Sequence, residues 1–152
     1  MGVTRVKIEG ADEVLRALTK VPADAKKAMR AEAKDIATSL TDWIKADARS
    51  RGRQAARGAS TVREGRQGFW PAVTGSNTGR ARGIMFGSVY GMKRHSGWYN
   101  HARYNRPGAK GQFGPYVGFP GYWFFSTAEK RQPWIAAEWA KAADDVVHEW
   151  GA

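Results

Sequence analysis

Residues 4–9 alternate, with Thr4, Val6 and Ile8 to one side and Arg5, Lys7 and Glu9 to the other. That period of two belongs to a half-buried β-strand, and a first strand is expected here. Gly10 breaks the pattern. Asp12 and Glu13 then fall where the positive end of a helix dipole favours acids, and Val14, Leu15 and Leu18 follow at helical spacing. This predicts a short helix ending near Val21, before Pro22. Proline is tolerated in the first turn of a helix, and beyond it Met29, Ala33, Ile36, Leu40 and Trp43 recur at alternating steps of four and three. A long amphipathic helix is therefore expected to run to about Arg49. At ~1.5 Å per residue its roughly 27 residues would span ~40 Å, more than a domain this small covers along its whole length. Part of the rod is expected to pack on something else.

From residue 52 to residue 121 the pattern changes, because 15 of the 18 glycines and four of the six prolines lie there. Loops and short strands are expected to replace long elements. Residues 84–90 (Ile-Met-Phe-Gly-Ser-Val-Tyr) are apolar and aromatic enough for a strand, and residues 98–104 are a weaker candidate between Gly97 and Pro107. A small antiparallel sheet with extended arms is predicted. Residues 49–68 set Arg51, Arg53, Arg57, Arg63 and Arg66 among Gly, Ala, Ser and Gln. Such a stretch lacks the apolar surface to offset its ordering entropy, so it is expected to be mobile.

Tyr122, Trp123, Phe124 and Phe125 form an aromatic block leading into Ser126, which stands three residues before Glu129 as in a capping box. A turn of helix is expected from there, with Pro133 opening the final helix. In that helix Ile135, Trp139, Ala143, Val146 and Trp150 make one face and Glu138, Lys141, Asp145 and Glu149 the other. Trp43, Trp139, Trp150 and the 122–125 block are read as core. Trp98, Tyr99, Phe113, Tyr116 and Phe119 sit among glycines, lysines and prolines, and are either candidate anchors between subunits or part of a loop that folds back on its own sheet.

With 152 residues the chain has room for one ordinary core, and a single domain over 1–152 with a central excursion at 49–121 is expected. No run of about eighteen apolar residues is present, and the first residues do not read as a signal peptide. A soluble product made in the cytoplasm, with no membrane partner, is expected. The absence of cysteine excludes disulfides, thiolate metal sites and cysteine catalysis.

Net charge changes the picture more than composition does. Of the formal +11, residues 49–110 carry 13 Lys or Arg against Glu64 alone, and the remainder is nearly neutral. An anionic partner is therefore to be sought at the central segment. Arg49, Arg51, Arg53, Arg57, Arg63 and Arg66 are candidate contacts to DNA or to acidic patches on neighbouring subunits, or else stay in solvent, and Trp70, Trp98, Tyr99 and Tyr104 add stacking surfaces. A DNA contact of this kind would be sequence-nonspecific.

Catalytic patterns are poor. His95 and His101 lie six apart, which is not the spacing of a helical metal pair, and His148 is remote from both. The pairs Asp12/Glu13 and Asp144/Asp145 lie in expected helices, where adjacent side chains point about 100° apart and do not converge. No phosphate-binding glycine pattern occurs. No enzyme activity, cofactor or metal is expected. A nuclease using His95 or His101 with Arg103 is the least favoured reading, since no acid partner accompanies them.

The order of features at both ends resembles a known family. Val6-Lys7-Ile8-Glu9-Gly10, then Asp12-Glu13-Val14-Leu15-Arg16-Ala17-Leu18, Val21-Pro22 and a long Ala/Lys-rich helix resemble the opening of the neck or tail-component proteins of long-tailed double-stranded-DNA phages. Gly121-Tyr122-Trp123-Phe124-Phe125 before a terminal amphipathic helix resembles that family's aromatic hinge. The resemblance covers about the first 50 and last 30 residues. Where such proteins often carry a Pro-x-x-Thr-Gly-x-Leu-like stretch after the long helix, this chain has its Arg/Gly-rich run, and Thr78-Gly79 echoes it faintly.

The resemblance implies a virion structural protein: a homo-oligomeric, sixfold ring joining head to tail. Its neighbours would be head-stopper, tail-terminator or tail-tube proteins, and DNA would pass through its lumen. A tail terminator capping the tube fits the same features, and a non-virion basic nucleic-acid-binding protein is the rival from another class. The expected fold is α+β, with an N-terminal strand, a short helix, a long helix, a small antiparallel sheet with Gly-rich loops, and a C-terminal helix.

Overall fold

The computed structural model describes residues 4–5, 10–65, 68–93 and 112–150. In chain order the elements are β1 (Thr4–Arg5), α1 (Ala11–Lys20), α2 (Ala23–Ser50), α3 (Arg53–Ala59), β2 (Arg63–Glu64), β3 (Ala72–Thr74), α4 (Gly79–Tyr90) and α5 (Phe124–Trp150). The described residues are thus mostly helical, with a small antiparallel sheet, an α+β arrangement. They pack as two compact units. Of the described residues, a sheet unit comprises 4–5, 10–42, 63–65, 68–74 and 130–150, and a helix-pair unit comprises 43–62, 75–93 and 112–129. The long helices α2 and α5 each contribute residues to both.

In the sheet unit, β3 lies between β1 and β2 and pairs antiparallel with each, Thr4 opposite Val73 and Glu64 opposite Val73 from the other side. Of the expected strand at 4–9, residues 6–9 lie outside the described residues. Gly65 continues the β2–β3 ladder by donating its N–H to the Ala72 carbonyl at 2.7 Å. Helix α1 opens after Gly10, with Asp12 and Glu13 in its first turn as the dipole argument requires. Its Leu18 is buried, as are Met29, Ala33, Ile36 and Leu40 of α2 and Ile135, Trp139, Ala143 and Val146 of α5. Each fully buried aliphatic side chain is worth roughly 1.5–3 kcal/mol of transfer free energy, so these stripes hold the helices in place. Trp139 does more than fill space. Its indole stacks on Trp70 at 4.8 Å and 5°, and its Nε1–H donates to the Phe69 carbonyl at 2.6 Å.

Helices α3 and α4 pack together in the other unit. Small residues permit the approach: Ala55, Gly58 and Ala59 are buried on α3. A Cβ at Gly58 would stand 2.9 Å from Ser88 Oγ and 3.3 Å from the Trp123 ring. Trp123 and Phe124 are buried at the base of the same unit, and Thr127 donates to Asp47 Oδ2 at 2.9 Å.

Several expectations are corrected. Residues 84–90 are helical, not a strand, because Met85, Ser88 and Val89 recur at helical spacing and are buried on one side of α4. The pleated-sheet preference of Val, Phe and Tyr yields to that packing. The second strand candidate, 98–104, lies outside the described residues. Within the stretch 49–68, α3 and β2 occupy 53–59 and 63–64, where no regular element was expected, and on α3 alanine and glycine supply the buried face that larger apolar residues would otherwise provide. Helix α5 begins at Phe124 and continues through Pro133 instead of starting there. Burial of Ala128 before the proline and Ile135 after it holds both sides in the helix. Ser126 caps nothing, since its hydroxyl donates back to the Trp123 carbonyl at 3.3 Å. Of the residues read as core, Trp43, Tyr122 and Phe125 are half-buried and Trp150 is 37% exposed; Ile44 and Ala48 carry the buried stripe of α2 instead of Trp43.

Candidate interaction surface

The most unusual surface lies at the end of α4. Gly91 closes the helix with φ of +77°, a conformation in which a side chain is strained, and a Cβ there would meet the Pro115 carbonyl. Against this terminus lies the loop 112–122. Met92 donates its N–H to the Gly114 carbonyl at 2.9 Å, Val117 to the Tyr90 carbonyl at 2.8 Å, and Tyr122 to the Val89 carbonyl at 2.6 Å. The last carbonyls of α4, which the helix itself leaves without donors, thus become the anchor of the loop. The Tyr122 hydroxyl closes it by donating to the Pro115 carbonyl at 2.7 Å. On the other side of the loop, Phe113 lies over Gly87, where a Cβ would come within 2.9 Å of its ring. The Phe119–Pro120 peptide bond is cis.

This anchored loop holds apolar side chains out in solvent. Phe119 is 67% exposed, Tyr116 54% and Val117 53%. Behind them runs a row of rings, Phe119 to Phe125 at 5.1 Å, Phe125 to Tyr90 at 6.0 Å and Tyr90 to Phe86 at 5.8 Å. Cations border the row, with Arg82 over Phe86 at 5.5 Å and Lys93 Nζ over Tyr116 at 5.2 Å. Burial first, and then the neighbouring Tyr116, raise the Tyr90 phenol above its ordinary value, so this hydroxyl stays protonated in alkali longer than a free tyrosine.

Of the five aromatics singled out from the sequence, the structure brings Tyr116 and Phe119 together on this surface and turns Phe113 inward on Gly87. Trp98 and Tyr99 lie outside the described residues. Sequence reasoning missed Phe86, Tyr90, Val117 and Phe125. Phe86 and Tyr90 are four apart, the spacing of neighbours on a helix, but the signal is lost once 84–90 is read as a strand.

The basic residues are divided between the units. Arg49, Arg51, Arg53 and Arg57 are exposed in the helix-pair unit, Arg63 is exposed on β2 of the sheet unit, and Arg66 lies outside the described residues. Arg51 Nε stands 3.6 Å from Asp47 Oδ1, one turn back on α2. Arg53 and Arg57 are one turn apart on the outer side of α3. Tyr104, His95, His101 and Arg103 lie outside the described residues, and His148 is exposed near the end of α5.

Among the described residues no three His, Cys, Asp or Glu gather as metal ligands, and no helix is long and apolar enough to cross a membrane. Compared with protein-family models, with curated proteins and with solved structures, the chain finds no match in any of the three.

Proposed function

We propose that the protein is a virion structural subunit of the neck of a double-stranded-DNA phage, a homo-oligomeric ring that joins head to tail around the DNA channel. The observation that carries this reading is the exposed aromatic loop at Tyr116, Val117 and Phe119, fixed in place by three hydrogen bonds to the end of α4 and one within the loop itself. An apolar patch of this kind marks a protein interface, and aromatic anchors dominate binding energy in such contacts. Because the loop is already ordered, little of that energy is lost to ordering it on association. The work of the protein is mechanical and calls for no catalytic group. Its exposed arginines suit sliding contact with duplex DNA in the lumen or acidic faces of adjacent subunits. A tail terminator ring rests on the same surface and differs only in its neighbours.

The test is made in particles. Phe119→Ser leaves the buried core intact and removes the most exposed anchor, so it is expected to yield filled heads and free tails in place of joined particles. Joined particles at wild-type yield with Phe119→Ser, or purified particles lacking this chain, would reject the reading.

A second reading is supported by the one-turn spacing of Arg53 and Arg57 on the outer side of α3: a basic nucleic-acid-binding protein outside the virion. Salt-dependent duplex binding that Arg53→Gln/Arg57→Gln removes and Phe119→Ser leaves unchanged would favour it.

A further inference from the structure

The sheet unit contains a cleft of about 420 Å³ between α2 and the β2–β3 hairpin. On the helix side, Arg30, Ala33, Lys34 and Ala37 stand at i, i+3, i+4 and i+7 and line a single face. The two alanines are buried and make an apolar floor, and the two cations are exposed on the rim. Glu64 and Trp70 form the opposite wall. Trp70 is held there by its stack on Trp139. The cations of this wall have an affinity for rings that is already in use, since the Arg30 guanidinium lies 5.2 Å over Phe69.

The lining restricts what fits. A compact anion gains from Arg30 and Lys34 but must approach Glu64 and desolvate against alanine. An aliphatic plug covers the floor but gains nothing from the two cations on the rim. Aromatic side chains suit the floor, the cations and Trp70 together, because their negative faces meet the cations and their edges or offset faces meet the Trp70 ring. The chain itself exposes such a plug. The loop 113–122 carries no charged residue and holds Tyr116 and Phe119 in solvent.

We infer that this cleft receives the Tyr116–Phe119 loop of a second copy of the chain, so that Arg30, Lys34 and Trp70 of one subunit grip the exposed rings of the next. The inference rests on the self-assembly proposed above and names its contact. At ~150–250 Å² for each fully buried aromatic, and with Tyr116 54% and Phe119 67% exposed, the two rings bring on the order of 250 Å² to the interface, about a third of the ~800 Å² per partner of a stable complex, so the contact needs the residues around plug and cleft as well. Plug and cleft are made of different residues and every copy offers one of each, so in the ring proposed above the contact is heterologous and repeats head to tail, closing where the rotation between neighbours permits.

Mixing complementary variants tests it. Phe119→Ser loses the plug and keeps the cleft; Lys34→Glu combined with Arg30→Glu loses the cleft and keeps the plug. Each is read by light scattering after circular dichroism shows native helix content, with Lys34→Glu alone as the milder cleft variant. Either variant alone is expected to be monomeric, and an equimolar mixture is expected to give a species of two chains, because one intact contact remains between unlike partners. Wild-type assembly by the cleft variants, or a mixture that stays monomeric, would overturn the inference while leaving assembly through another surface standing. Binding of a single-stranded oligonucleotide that the cleft variants lose without any change in assembly would overturn it in favour of a nucleic-acid site. A wild-type chain that never associates would remove the self-assembly reading itself.

Discussion

Trp70 and Trp139 lie face to face, 4.8 Å between ring centroids and 5° from parallel, and the indole N–H of Trp139 is bonded to the carbonyl of Phe69 beside its stacking partner. One buried side chain of α5 therefore fixes both the backbone and the side chain of the segment entering β3. Replacing Trp139 by Phe keeps a ring but removes the hydrogen bond and part of the stack, each worth roughly 0.5–1.5 kcal/mol. A loss of about 1–3 kcal/mol in urea unfolding is expected, and Trp139→Ala should cost about 3–5 kcal/mol. An unchanged midpoint for Trp139→Phe would mean that the stack and its hydrogen bond are not formed in solution.

The loop at the end of α4 depends on the Tyr122 hydroxyl, which reaches the Pro115 carbonyl at 2.7 Å. Tyr122→Phe removes that single bond and is expected to cost about 1 kcal/mol. Hydrogen exchange gives the sharper readout: the Val117 amide, bonded to Tyr90, should exchange faster in the variant than in the wild type. Equal protection would show that the backbone contacts alone hold the loop.

Gly91 combines a positive φ with a position where a Cβ meets the Pro115 carbonyl. Gly91→Ala therefore pays for strain and displaces the loop at once. A loss of roughly 2 kcal/mol or more in stability is expected, with weaker self-association than the wild type even at temperatures where the helices remain folded. Gly52, which also has a positive φ but nothing within 4 Å of its would-be Cβ, provides the control. Gly52→Ala should be milder.

Tyr90 makes stability fall in alkali. Its phenol is raised above the ordinary value of ~10 by burial and by Tyr116, so between that value and its own the folded chain holds a proton that the unfolded chain has released. The contribution is whole below about pH 10 and is lost as the pH climbs through the folded value. Tyr90→Phe is expected to flatten this part of the stability profile. Tyr116→Phe is expected to bring the Tyr90 titration, followed by ultraviolet difference absorbance, back toward ordinary tyrosine. A Tyr90 that titrates at the ordinary tyrosine value would contradict its placement behind the loop.

The two long helices were legible because their buried residues repeat with one period over many turns: Met29, Ala33, Ile36 and Leu40 mark α2, and Ile135, Trp139, Ala143 and Val146 mark α5. The elements between them were not. Helix α3 buries only alanines and glycine, whose hydrophobic signal is faint, and α4 is written in residues that favour strands until Met85, Ser88 and Val89 are counted by threes and fours. The start of α5 at Phe124 was hidden by Pro133, which ordinarily opens or breaks a helix. The exposed loop was legible in part. Glycines and prolines around Tyr116 and Phe119 pointed to surface, but nothing local shows that Val89 and Tyr90 carbonyls anchor it, because those bonds join residues distant in sequence.

Sedimentation of the wild-type chain across a range of concentrations, beside Phe119→Ser, tests the central claim most directly. The account predicts that the wild type forms a defined closed oligomer of one mass, and that losing the ring at 119 shifts the equilibrium to single chains without loss of helix. A wild type that remains a single chain at the highest concentration, or an oligomer whose mass and stability Phe119→Ser leaves unchanged, would contradict it.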